Sequence, residues 1–248
     1  MIVLPGVPLR AEKLIMSQTL ALIHTSQVFI TVETMMKQLF AEILPDTRLI
    51  HIMDDSLLPD VMREKRISAD VTRRVCLYVM AAEATGADAV LSLCSSLGPA
   101  IDVARKMVKV PVIKIDDAHT EKAAREAARI GVMATVGTTL DPTCALIEEK
   151  ALALGKTVEI HRSLSGAAFE ALMRGEKEAH DRMVLAAAKE LAPQVDLILF
   201  AQASMTRLAP AVEAETGLPV LSSPRLAIEH TRRVLDELAA KSEAAAVR

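Results

Sequence analysis

Short apolar runs rich in β-branched residues alternate along the chain with longer stretches in which apolar positions recur every three or four residues. The first pattern fits a strand buried on both faces and the second a helix with one buried stripe, so the alternation predicts βαβ units on a mostly parallel sheet. Strands are expected over 19–24, 48–53, 89–94, 112–115, 130–135, 157–161, 197–202 and 220–222. Helices are expected over 31–42, 69–84, 121–128, 142–154, 176–191 and 224–240.

A repeat runs through this pattern. Asp88, the apolar run to Cys94 and then Pro111-Val112 are echoed by Asp196, the run to Gln202 and Pro219-Val220, every pair offset by 108 residues. Ile23-His24-Thr25 and Met133-Ala134-Thr135 form a further pair at an offset of 110. Several matches at nearly one offset imply duplicated lobes. The expected fold is therefore α/β, with two pseudo-symmetric lobes, each a mostly parallel four-stranded sheet flanked by helices. Residues 1–17 are expected to be a poorly ordered extension, 18–117 the first lobe, 118–219 the second, and 220–248 a return whose last helix completes the first lobe. Ligands of open α/β sheets bind at the carboxyl ends of strands, which places a site in the cleft between lobes.

Composition narrows the function. Half of the 248 residues are apolar but only 2% are aromatic, so Ala, Val, Leu, Ile and Met must build the core, as in helices packed on a sheet. A net charge of -3 with scattered Lys and Arg leaves no basic stripe, and bases would find few rings to stack on, so no nucleic-acid partner is expected. Pro5, Pro8, Arg10, Glu12 and Lys13 interrupt the apolar start, so neither a signal peptide nor a membrane span is expected there. Three cysteines, Cys76, Cys94 and Cys144, without CxxC or Cys/His spacing, predict a reduced, cytoplasmic protein with no metal site.

Cys94 ends an apolar run and precedes Ser95-Ser96-Leu97-Gly98-Pro99, a loop entering a helix. Unpaired N–H groups and the positive end of the helix dipole there are expected to lower the thiol pKa and suit it to act as base or nucleophile. The hydroxyls of Ser95 and Ser96 with the same N–H groups would cradle a carboxylate. The alternative is an inert thiol at the end of a core strand. Across the cleft, His24-Thr25-Ser26, Ala134-Thr135 and Gln202-Ala203-Ser204 are expected to line the same cavity. Cys76 reads as core.

These segments, with Gly131 to Thr138 between them, resemble the aspartate/glutamate/hydantoin racemase superfamily in order and spacing over nearly the whole chain. The resemblance implies cofactor-independent proton transfer at a carbon next to a carboxylate, a small carboxylate-type substrate, and a homodimer or higher oligomer. It assigns Cys94 to the first of two family cysteines, Ser95 and Ser96 to the polar residues after it, and Thr135 and Thr138 to the threonines of the middle segment. The second cysteine is replaced by Gln202. Cys144 falls on the following helix, as a helix-face or pocket-wall residue. A carboxamide has no useful pKa, so Gln202 can orient a substrate but cannot exchange its proton. His24, where family members often carry an acid, would then be the other acid/base, or else a histidine satisfied by backbone groups.

The leading expectation is a racemase or isomerase; a single-cysteine decarboxylase of a malonate-like acid is the alternative. Hydrolysis or isomerisation through a Cys94 adduct and carboxylate binding without turnover are further readings. Asp54, Asp55 and Ser56 either reach the cleft or cap a helix. His180-Asp181 reads as a solvated helix face or a lobe contact, and Arg73-Arg74 and Arg232-Arg233 as exposed faces.

Overall fold

The computed structural model describes residues 18–26 and 34–246. The expected extension over 1–17 and the start of the helix expected over 31–42 lie outside these residues. The chain forms two four-stranded sheets of one topology, each fully parallel.

In the first sheet the order is β2-β1-β3-β4, built from β1 (Thr19–His24), β2 (Arg48–Met53), β3 (Ala89–Ser92) and β4 (Val112–Lys114). In the second it is β6-β5-β7-β8, from β5 (Arg129–Ala134), β6 (Glu159–Leu164), β7 (Leu197–Phe200) and β8 (Val220–Leu221). The repeat read from sequence is a repeat of hydrogen bonds. Val90 N donates to Pro111 O at 2.9 Å and Ile198 N to Pro219 O at 3.0 Å. Asp88 and Asp196 each accept, through Oδ2, the N–H that opens the neighbouring strand, from Thr19 at 2.7 Å and Arg129 at 2.9 Å.

The inner strands of each sheet are buried at every position but Arg129, and mostly apolar, because helices cover both faces. Ala21, Ile23 and Val90 face α2 (Leu57–Glu64), α3 (Ala69–Ala84) and α4 (Gly98–Ala104), while Leu20, Leu22 and Leu91 face α1 (Thr34–Ile43) and α10 (Ser223–Ala246). The second sheet repeats this between α5 (Asp117–Glu126) and α6 (Gly137–Ala153) on one face and α8 (Lys177–Leu191) and α9 (Ala209–Thr216) on the other, with α7 (Gly166–Met173) beyond β6. Each fully buried Leu or Ile contributes about 1.5–3 kcal/mol. The edge strands β2 and β6 are half-exposed and carry His51 and Arg48, His161 and Arg162, charged or polar groups that discourage pairing with another chain.

Several boundaries differ from expectation: β3 and β7 end two residues early, at Ser92 and Phe200, and β6 runs over Glu159–Leu164 rather than 157–161. Val220–Leu221 belongs to the second sheet through pairing with β7, so the return to the first lobe starts at α10 rather than at residue 220. Ala227, Ile228 and Leu235 of α10 enter the first core, while Leu226 packs on the second, so this helix joins the lobes. The helix expected from Pro142 begins at Gly137 and continues through the proline, which sits on its second turn and leaves the Thr138 carbonyl without a ladder donor. The helix expected at 121–128 starts earlier, at Asp117. Cys76 is buried in the first core, and Cys144 lies in the second core rather than on a pocket wall. Among the described residues, no helix is long and apolar enough to cross a membrane.

Candidate active site

Cys94 and Gln202 follow β3 and β7 with nearly the same backbone, φ/ψ −135°/113° and −135°/130°, and each opens a short 3-10 turn, Ser95–Leu97 and Ala203–Leu208. Their sequence neighbours hold equivalent places: Leu93 N donates to Ile23 O at 3.0 Å and Ala201 N to Met133 O at 2.9 Å. Leu93 and Ala203 also share one apolar cluster, which brings the two strand ends to a common cleft. Ser96 Oγ and Thr138 Oγ1 meet across that cleft at 3.1 Å.

The thiol of Cys94 is half-buried. The Thr25 hydroxyl and the N–H groups of Ser96 and Leu97 lie where they favour the thiolate, as a strand-to-helix turn predicts, and Leu97 N donates to the Cys94 carbonyl at 3.2 Å. The expected lowering of its pKa is nevertheless overturned. Loss of hydration raises the pKa and the nearby Asp116 carboxylate adds to the rise, so together they outweigh the three donors. Cys94 is a protonated thiol at neutral pH.

On the other lobe, Gln202 Oε1 accepts from Thr135 N at 2.5 Å, Val136 N at 3.1 Å and Thr135 Oγ1 at 3.2 Å. The carboxamide oxygen is thus held by two successive backbone N–H groups and a hydroxyl. The two threonines play matching parts, Thr25 toward Cys94 and Thr135 toward Gln202, as their place in the repeat predicts. Ser95 is committed elsewhere: its hydroxyl donates to Asp116 Oδ1 at 2.9 Å. Ala203 packs its methyl into the core, Ser204 is exposed, and Ser26 is half-exposed beside the end of β1.

His24 is 2% exposed and on the face of β1 that carries Leu20 and Leu22, toward α1. Its ring stacks on His51, with His24 Nε2 3.0 Å from His51 Nδ1. Burial, then the neighbouring imidazole, lowers its pKa to about 4, so the ring is neutral at pH 7. It is partnered by a second histidine rather than by backbone groups.

Asp54 is a structural group. It accepts from Ser56 N at 3.0 Å, Tyr78 OH at 2.7 Å and Arg74 at 3.1 Å, fixing the turn into α2. His180 is buried, not solvated, with Nδ1 2.8 Å from Asp181 Oδ1, and Arg207 donates to that same carboxylate. Sequence reasoning missed Asp116. The acidic pair Asp116-Asp117 at the end of an apolar strand was the available signal. Asp116 is 4% exposed, and burial pushes its carboxyl up to about 7 despite the Ser95 donor.

Beyond the Ser96–Thr138 contact opens a cavity of about 650 Å³ between the lobes. Val61, Met62, Ile67, Val136 and Leu164 make it largely apolar, with Lys65 and Arg66 on the first-lobe side.

The Asp/Glu/hydantoin racemase sequence profile matches residues 29–231. No curated protein sequence matches the chain. Among solved structures, a putative Asp/Glu racemase from Yersinia pestis superposes with a TM-score of 0.70 at 18% identity over 90% of this chain and 99% of that one. A glutamate racemase isoform from Bacillus anthracis gives 0.65 at 15% identity, covering 89% and 82%. A mutant of arylmalonate decarboxylase gives 0.59 at 20% identity, covering 88% and 93%. With the profile spanning most of its length and the duplicated fold in agreement, the chain belongs to the Asp/Glu/hydantoin racemase family.

Proposed function

We propose that the protein is a carbon-acid enzyme in which Cys94 alone moves the proton, on one face of a small carboxylate. The observation that carries this reading is the engagement of Gln202. Its oxygen is held by Thr135 and Val136, and a carboxamide neither gives nor takes a proton at neutral pH. His24 is neutral and paired with His51, which fits a supporting part rather than that of an opposing acid.

A protonated thiol suits delivery of a proton. In a malonate-type acid the bond to one carboxyl group breaks, carbon dioxide leaves, and its electron pair forms an enediolate on the remaining carboxylate. The Sγ–H proton then moves to carbon, and the thiolate is reprotonated by water. The Ser96 and Thr138 hydroxyls, 3.1 Å apart, would stabilise the enediolate charge. Run from an α-hydrogen acid, the thiol first gives its proton to water; the thiolate then takes the α-hydrogen and returns a solvent proton to the same face, giving one-sided exchange. The apolar cavity favours an acid with an apolar substituent on the reacting carbon.

The test is a panel of malonate-type diacids and chiral α-hydrogen acids in deuterated water, followed by mass spectrometry and chiral chromatography. Deuterium is expected on one face only, giving a single enantiomer from a prochiral diacid. Cys94→Ser should lower the rate by about 10²-fold or more. Equal labelling of both faces, or an active Cys94→Ser variant, would overturn the proposal.

A further inference from the structure

We infer that Asp116 is a positioning residue for Cys94: through Ser95 it fixes the loop that carries the thiol, and through its charge it sets how readily that thiol gives up its proton. The inference takes from the proposed function only that Cys94 is the proton-bearing group.

Four observations support it. Ser95, the residue after Cys94, spends its hydroxyl proton on Asp116 Oδ1 at 2.9 Å in a buried setting. The cations around Asp116 are taken up elsewhere: Lys114 Nζ binds Asp102 at 2.9 and 3.0 Å, while Arg105 and Lys150 approach Asp117 at 3.4 and 3.6 Å. His119 Nε2 lies 3.8 Å from Asp116 Oδ1, but its ring is fully buried, and burial lowers its pKa to about 4, so it brings no charge at pH 7. Asp102, Glu149 and Lys114 share with Asp116 a cavity of about 120 Å³; the Lys114 charge eases the Asp116 anion from a distance, but its ammonium group is bound to Asp102 and not to Asp116.

The fourth observation comes from the repeat. At the offset of 108 residues that relates Cys94 to Gln202, Ser95 corresponds to Ala203 and Asp116 to Pro224. The hydroxyl–carboxylate pair therefore stands only beside the lobe that keeps the cysteine. A purely architectural pair would be as useful after β7 as after β3. A buried carboxylate without a cation in contact is costly, and groups in such settings cluster where a neighbouring proton is being controlled.

The test reads the thiol directly. The rate of Cys94 alkylation by iodoacetamide is followed from pH 6 to 10 by peptide mass spectrometry, in the full chain and in Asp116→Asn and Ser95→Ala. Asparagine keeps an acceptor for Ser95 and removes the charge. Its profile is expected to move to lower pH, with alkylation below the inflection faster by about tenfold, the equivalent of one pKa unit. Ser95→Ala weakens the hold on the Asp116 anion and should move the profile the same way by a smaller step. If both variants fold, judged by circular dichroism, and both profiles coincide with that of the unsubstituted chain, the inference is wrong. If Asp116→Asn does not fold, Ser95→Ala alone decides. Alkylation needs no substrate, so its outcome is separate from that of the labelling experiment.

Discussion

At the scale of single residues, the site sets two buried histidines against one buried carboxyl. His24 and His119 both have pKa values lowered to about 4 by burial. Folding therefore favours their neutral forms, and stability is lost as pH falls from about 6.5, where they charge in the unfolded chain, toward 4. Asp116 has the opposite sense: its carboxyl, pushed up to about 7, binds its proton more tightly when folded, so stability declines as pH rises from about 4 to 7 and is flat above. Asp116→Asn should thus raise the melting temperature by several degrees at pH 8 and by less at pH 5. Equal gains at both pH values in calorimetry would mean that the fold does not hold that proton. Asp116 was readable only as an acidic pair after a strand. Its partner Ser95 lies 21 residues away, a distance in sequence at which no periodicity links two side chains.

At the scale of elements, the long ones follow from the pattern and the short ones do not. β1 and β2 fall where the alternation of apolar runs puts them, and α3 covers the expected residues 69–84. The helices α2, α4, α7 and α9 have eight residues or fewer, too short for an apolar stripe to repeat; α2 and α4 are signalled only by the segments that lead into them, without bounds, and α7 and α9 not at all. The apolar spacing predicts a helix from Pro142, yet the helix begins at Gly137 in front of it. Gly131 illustrates the packing. A Cβ there would meet Leu191 Cδ2 at 2.7 Å and Cγ at 3.1 Å, with Val195 Cγ2 at 3.2 Å, where α8 lies on β5. Gly131→Ala is expected to cost about 1–3 kcal/mol in urea denaturation, through displacement of Leu191. A neutral result would show that α8 adjusts freely.

At the scale of the molecule, the last helix joins the two sheets, alongside the Leu93–Ala203 cluster and the Ser96–Thr138 contact. It sends Ala227, Ile228 and Leu235 into the first core and sets Leu226 against the second, while Arg225 holds Glu42 through two 2.9 Å bonds. A chain ending after Leu221 should lose cooperative thermal unfolding, since three buried apolar side chains together approach the stability of an ordinary domain. A sharp transition near the original temperature would refute that role for the helix. The sequence by itself determined the α/β class and the duplication, and thereby that Cys94 and Gln202 occupy matching places. These follow from local periodicity and from a register the chain carries along its length. Only the tertiary structure decided that Gln202 is held by Thr135 and Val136, that Ser95 turns to Asp116, and that burial pushes the Cys94 thiol pKa up rather than down. Hydrogen-bond partners and hydration depend on groups from distant segments, and a thiol at a strand end has its pKa set by whichever of these the fold brings beside it.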